Sequence, residues 1–328
     1  MGIKNLVKTC ESVFGYSPKT ATLADVSNSY VSIDADLFMY NFSYDKSDFL
    51  TNFFIMTMNL FEHTIVPIFV FGGARTSLKD EECRKRNERK EKLKQNIETA
   101  RLSGNIERYN NLQKLIFDIT TKDFDILQKL LHCLCVPYIT IHNHESEGFC
   151  AWLNKRGYCH HVITNDSDVF AYGAKSVIKN YSNGHPFLLY DCDKFRSSFN
   201  YDYRTGKVCN YGFEDQSKFL DYCILLGTDF NKPCLGPKTA YRSICELSPV
   251  ESHMYVASRV PLYYQIVAEY NTEYTFETRF EIFKQKQPHE LMSMITQQID
   301  IREIKALFSQ SGRSCGTLIR RFENNVLD

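Results

Sequence analysis

Short apolar runs rich in valine, isoleucine and aromatic residues, separated by stretches of helical length, constrain this chain more than any other feature. Residues 30–36 read YVSIDAD, 66–73 read VPIFVFGG and 160–168 read HHVITNDSD. Runs of this length and β-branched character suit strands covered on both faces, as in a parallel sheet. The alternation predicts an α/β fold, a mainly parallel sheet flanked by helices. Strands are expected at 29–34, 66–71, 136–140, 160–164 and 176–180, and helices at 46–63, 123–133, 146–156 and 215–226. After residue 228 the strand signal fades and short helices dominate. No repeat or low-complexity linker breaks the chain, so a single domain is expected over 1–328.

Between the second and third strands lies a polar insertion, 75–122, with helical periodicity and no proline. It is too long for an ordinary connection, which points to function rather than packing. Formal net charge is zero, so affinity for a polyanion must come from local organisation. The insertion supplies it: residues 84–101 hold eight Lys/Arg against Glu88, Glu91 and Glu98. Two readings of this stretch stand side by side. It is a solvated helix held by ion pairs three and four residues apart, or a helix that meets phosphates through residues such as Arg84, Lys85 and Arg89.

Composition excludes several classes. No apolar run reaches the roughly 18–20 residues of a membrane span, and MGIKNLVKTCES carries no secretory apolar core. Leu6 stands where a myristoylation signal wants Ser or Thr. A soluble intracellular protein with no membrane partner is expected. The twelve cysteines are scattered, with Cys133 and Cys135 the closest pair and no C-x-x-C. That spacing argues against zinc and for reduced, mostly buried thiols.

Acids gather where apolar segments end: Asp34 and Asp36, Glu145 and Glu147, Asp166 and Asp168, and Asp229 in LLGTDF. Taken singly, each suits a helix N-cap or a solvated turn. In open α/β sheets, however, ligands collect at the carboxyl ends of strands, and so many carboxylates cannot share one edge as bare anions. Hard divalent cations resolve the repulsion, and oxygen-only ligands favour Mg²⁺ or Mn²⁺. Glu145 and Glu147, two apart at a helix start, are expected to diverge and so to bridge two ions. A pair of ions would stabilise the attacking and leaving oxygens of a phosphodiester. Beside a basic insertion, this chemistry is that of a nuclease.

The stretches MGIKNL, IDADLFMY, FVFGGARTSLKDEECRKRNERKEK, HESEGFCAW, ITNDSDVFAYG and LDYCILLGTDF…LGPKTA together resemble the flap endonucleases, of the structure-specific 5′ nuclease superfamily that includes the xeroderma pigmentosum G nuclease. They cover roughly residues 1–245 in family order. The resemblance implies a PIN-like sheet, a helical arch at 75–122 between nuclease parts 1–74 and 123–228, and a helix–two-turn–helix with C-terminal helices over 229–328. It implies a Mg²⁺-dependent enzyme with two ions, Mn²⁺ substituting, that cuts flapped or branched DNA in replication, repair or recombination. Asp34, Glu145, Glu147, Asp166, Asp168 and Asp229 match metal-binding carboxylates, and Lys79 and Arg86 the catalytic basic pair at the base of the arch. Tyr40 matches the residue on which a base near the scissile bond stacks, with a core tyrosine as the competing expectation. Gly2 matches a small residue near the DNA junction, and Gly236 and Lys238 the duplex-binding hairpin. Viral members imply a nuclear or cytoplasmic site of replication, and an RNA-cleaving relative is an alternative.

Three departures stand out. Cys234 replaces a second hairpin glycine, and no replication-clamp motif is visible. Gly72 stands where the family has a metal-binding aspartate. An artificial change, a ligand moved to Asp36, or a chain that only binds nucleic acid would each account for Gly72. The moved ligand is favoured, because Asp34 and Asp36, two apart on a strand, would project to one face.

Overall fold

The computed structural model describes residues 2–44, 48–72, 77–113, 115, 119–274, 280–311 and 315–327. Its centre is a seven-stranded sheet built from β1 (Lys19–Ala21), β2 (Tyr30–Asp34), β3 (Val66–Phe71), β4 (Tyr138–Thr140), β5 (His161–Ile163), β6 (Ser176–Lys179) and β7 (Phe187–Asp191). The spatial order is β1-β7-β6-β5-β2-β3-β4. The pairs β2–β3, β2–β5, β3–β4 and β5–β6 are parallel, while β7 runs antiparallel to β6 and β1. Every residue of β2 and β3 is buried, Ser32 and Asp34 of β2 included, and β3 accordingly reads as an unbroken apolar run. The chain moves outward from β2 to β3 and β4, then crosses back to place β5 on the other side of β2. That reversal opens a crevice at the carboxyl ends of β2 and β5, the position where such sheets bind ligands.

Among the helices, three placements matter most for the site. Helix α1 (Leu6–Val13) precedes β1; α2 (Ala35–Tyr44) and α3 (Phe49–Phe61) link β2 to β3. The long α4 (Asp80–Leu102) and the short α5 (Ile106–Gln113) form the described part of the insertion, ahead of α6 (Thr121–Cys133). Helix α4 is polar almost all round and buries only Ile97 and Ala100, as expected of a helix that stands away from the core. Helix α7 (Ser146–Lys155) joins β4 to β5, and the single turn α8 (Asp168–Ala171) and α9 (Cys192–Ser197) flank β6 and β7.

Beyond the sheet, α10 (Gln216–Leu226) and α11 (Pro237–Ile244) make a helix–turn–helix pair, followed by α12 (Pro249–Ala257) and α13 (Tyr263–Tyr270). Gly227 ends α10 with φ of 90°, and a Cβ there would lie 2.6 Å from the Pro233 nitrogen. Buried Asp221 ties the group together: Ser252 Oγ donates to it at 2.6 Å, the Tyr263 hydroxyl donates to it, and the His253 ring contacts it at 2.5 Å. Among the described residues, no helix is long and apolar enough to cross a membrane.

The expected strands and helices are all present with ends shifted by no more than three residues, the 46–63 helix being observed over Phe49–Phe61 with 46–47 outside the described residues. Among the elements named here, β1, β7, α1, α8, α9 and α2 were not expected. The last carries a correction. Asp36 does not lie on a strand with Asp34, because β2 ends at Asp34 and α2 begins at Ala35. Asp34 itself caps that helix, its Oδ1 accepting the Leu37 N–H at 3.2 Å.

Candidate active site

The crevice between β2 and β5 collects the acids. Asp34 ends β2, Glu145 caps α7 and Glu147 lies in its first turn, while Asp166 and Asp168 follow β5. Asp229 arrives on the loop that Gly227 bends after α10. Together with Asp36, Tyr40, Gly72, Lys79 and Arg86, most of these residues line one cleft of about 110 Å³. Its tightest part is buried: oxygens of Glu147, Asp166 and Asp168 lie within 4.8 Å of one another.

Burial dominates the electrostatics. It pushes the Asp34 carboxyl up to about 6, against hydrogen bonds from Ser146 and Leu37 and with the charges of Asp166 and Glu145 adding to it. Glu147 and Asp168 are raised well above the ordinary carboxylate range, first by burial and then by Asp166. Asp168 is fully buried and neither of its oxygens has a partner at full hydrogen-bond geometry, although the Tyr270 hydroxyl is close enough to favour its ionised form. A buried carboxylate so incompletely satisfied is costly, and a hard divalent cation is the ligand that an all-oxygen set of this kind accommodates. The residues therefore fit such a cation.

Lys79 and Arg86 reach the same place. Lys79, 6% exposed, sets its ammonium 2.8 Å from Glu145, 3.1 Å from Asp229 and 3.9 Å from Glu147. Burial alone would lower its pKa, but Glu147, Glu145 and Asp229 outweigh it and hold the amine charged. Arg86 Nη2 lies 3.1 Å from Asp229. Glu145 and Glu147 thus do not diverge as expected; both turn toward Lys79, because α7 starts directly beneath the α4 N-terminus.

Other expected residues fall into clear places. Tyr40 is 44% exposed at the rim, not in the core. Gly2 packs on Asp166: with φ of 83°, a Cβ there would stand 2.0 Å from Asp166 Oδ1. Gly2→Ala should therefore displace that carboxylate and weaken Mn²⁺ binding about 10-fold or more, the scale of losses at residues that orient ligands; unchanged affinity in a calorimetric titration would show that Asp166 can yield. Gly236 caps α11 with open space before it, and exposed Lys238 lies over the Tyr203 ring at 5.5 Å. Cys234 is exposed on the same loop. On α4, Arg84 pairs with Glu81 and Glu88, Lys85 reaches Glu81 at 3.7 Å, and Arg89 is exposed. The structure places these three away from the acidic cluster.

Several supports escaped the sequence reading. Ser146 donates to Asp34 Oδ1 at 2.9 Å, and Thr164 Oγ1 accepts the Asp166 N–H at 3.1 Å. Buried Lys179 donates to the Asn165 carbonyl at 2.6 Å and braces the turn that carries Asp166 and Asp168. Ser146 and Thr164 adjoin acids in sequence and could have been noticed; Lys179 is brought in only by β6.

This arrangement of sheet, acidic crevice and overlying basic helix defines a class of metal-dependent phosphodiesterase folds. The XPG N-terminal domain matches residues 1–93 and the XPG I-region matches residues 136–229. The chain belongs to the family of the XPG and flap endonuclease proteins. It is 28% identical to Flap endonuclease 1 of Entamoeba histolytica over 269 residues, 77% of this chain and 69% of that protein. Its fold resembles the flap endonuclease-1 of Methanococcus jannaschii, with a TM-score of 0.56 and 18% identity over 90% of this chain and 97% of that one. It also resembles the Holliday junction-resolving enzyme GEN1 in complex with product DNA and a Mg²⁺ ion, with a TM-score of 0.60 and 13% identity over 94% and 73% of the two chains.

Proposed function

We propose that this protein is a Mg²⁺-dependent, structure-specific 5′ nuclease that hydrolyses flapped or branched DNA in replication, repair or recombination. The observation that carries the reading is the buried Glu147, Asp166 and Asp168 cluster at the sheet's ligand-binding edge, with Glu147 3.9 Å from Lys79, which shares Asp229 with Arg86. Two divalent cations, Mg²⁺ with Mn²⁺ able to substitute, would supply an activated water and stabilise the leaving oxygen. Glu147, Asp166 and Asp168 would hold one, with Asp34, Asp36, Glu145 and Asp229 serving the second.

The chain's own groups do the rest. Lys79 and Arg86 are placed to offset charge on the phosphate being cut, leaving a 5′-phosphate and a 3′-hydroxyl. Tyr40, exposed at the cleft rim, offers a stacking face to the adjacent base. Gly236 and Lys238 at the α11 N-terminus would hold duplex phosphates, since free amides and the helix dipole favour anions there. The open space before Gly236 leaves room for close approach.

Labelled flap, nicked, four-way-junction and single-stranded RNA substrates, each with Mg²⁺ or EDTA, test the proposal. Cleavage near the flap base with Mg²⁺ alone is expected. DNA binding without cutting in any cation would support the binding-only alternative that Gly72 raises, and preference for RNA would reassign the substrate. The arch adds a separate expectation. Replacing Arg84, Lys85 and Arg89 together with alanine should weaken DNA binding across sequences and reduce the salt slope by about one per lost phosphate contact. Because Arg84 and Lys85 already pair with glutamates, an unchanged slope would leave α4 as a solvated, self-paired helix.

A further inference from the structure

The carboxyl ends of β5, β2 and β3 lie side by side. The first two deliver acids, but β3 ends in Phe71 and then Gly72, which has no side chain. The space is nevertheless filled. A Cβ built on Gly72 would stand 2.7 Å from Asp36 Oδ2 and 3.8 Å from Ser146 Oγ, the hydroxyl that donates to Asp34. Asp36 Oδ2 in turn accepts the Gly72 N–H at 3.0 Å. A carboxylate carried on α2 therefore occupies the start of the path that a side chain at position 72 would take.

Helix stability does not explain this placement. An acid in the first turn of α2 would favour the helix dipole wherever it pointed, and the capping role is already filled by Asp34 at the Leu37 N–H. Asp36 instead leans across to the backbone of a neighbouring strand, into the cleft it shares with Asp34, Glu145, Glu147 and Asp166. A second observation points to a cation here: Asp168, fully buried and without a partner at hydrogen-bond geometry, lies within 4.8 Å of the oxygens of Glu147 and Asp166, which line the cleft.

We infer that Asp36 supplies from α2 the cation-binding carboxylate that the end of β3 lacks, and that Gly72 is its seat. The pair is exclusive. A side chain at position 72 and the carboxylate of Asp36 cannot both hold this point, and the Gly72 amide orients the carboxylate only while the way is clear. This rests on the reading of the cleft as a metal site, so the test measures metal directly.

Mn²⁺ binding to the whole chain, without DNA, is followed by electron paramagnetic resonance alongside the thermal unfolding midpoint. Asp36→Asn preserves shape and should lower Mn²⁺ affinity by about 10–100-fold or more, judged from the losses seen even at residues behind metal ligands. Gly72→Ala should lower it by a smaller factor, through displacement of Asp36. Gly72→Asp alone should gain nothing, since the new carboxylate takes the place of the one it displaces, that of Asp36. Asp36→Ala combined with Gly72→Asp should recover most of what Asp36→Ala loses. Wild-type affinity in a folded Asp36→Asn variant would overturn the inference. So would a Gly72→Asp variant that by itself binds Mn²⁺ tenfold more tightly, because the strand end would then have been a deficit left unfilled. A wild-type chain that binds no Mn²⁺ would instead remove the metal-site reading as a whole.

Discussion

Asp168→Asn is expected to abolish Mg²⁺-dependent cleavage while leaving the fold intact, the largest effect of any single substitution in this chain. Asp168 is fully buried against its carboxylate neighbours, and neither of its oxygens has a partner at full hydrogen-bond geometry. Its contribution in the metal-free protein is therefore unfavourable, since a buried unpaired charge costs several kcal/mol. On the proposed reading its value would come from cation binding. A ligand that binds only the folded state at about 100 times its Kd stabilises by roughly 2.7 kcal/mol. Wild type should accordingly gain thermal stability on adding Mg²⁺ or Mn²⁺, and Asp168→Asn should lose most of that gain without melting lower in EDTA. A variant that keeps both the cation-induced rise and the cutting would remove Asp168 from the site.

Lys79→Met should produce the second largest effect, a fall in single-turnover cleavage of about 10²–10³-fold at saturating Mg²⁺, the scale of losing one group that stabilises transition-state charge. Lys79 is held at the foot of α4 by Glu145 and Asp229, so the substitution also strands two acids. Removing one partner of a buried ion pair costs about 3–5 kcal/mol, and the metal-free variant should melt lower by a corresponding amount. Divalent cation should restore much of that stability, because it neutralises the same acids, but should not restore the rate. Stability rescued with the rate still low would separate charge balance from phosphate handling. Cutting within about threefold of wild type would show that Lys79 serves only as a counter-ion, for the scale expected of a charge-stabilising group is far larger.

Much of this organisation was legible before any coordinates. The buried parallel strands β2 and β3 announce themselves as short runs rich in β-branched and aromatic residues because both their faces are covered. The acids after β2 and β5 are legible for a related reason: a carboxylate at the end of such a run has no packing role there. The elements that escaped are those with weak local patterns. Strand β7 is only half-covered and β1 spans three residues. Helix α2 was hidden because Asp34 serves at once as the last residue of a strand and as the cap of the helix, a signal that Asp before an apolar segment could have given.

The sequence by itself determined the α/β class, the polar insertion, and the set of acids and bases available to a site, because these follow from periodicity and residue chemistry within short windows. Only the tertiary structure decided how those groups are shared. Asp229 meets Lys79 and Arg86 because α10 ends and α4 begins at one crevice, and Glu145 and Glu147 turn toward one ammonium instead of apart. Above all, Asp36 reaches Gly72 from a helix and not from a strand. Counting along the chain places Asp36 two residues from Asp34; the turn from strand to helix between them is what carries its carboxylate across to the end of β3.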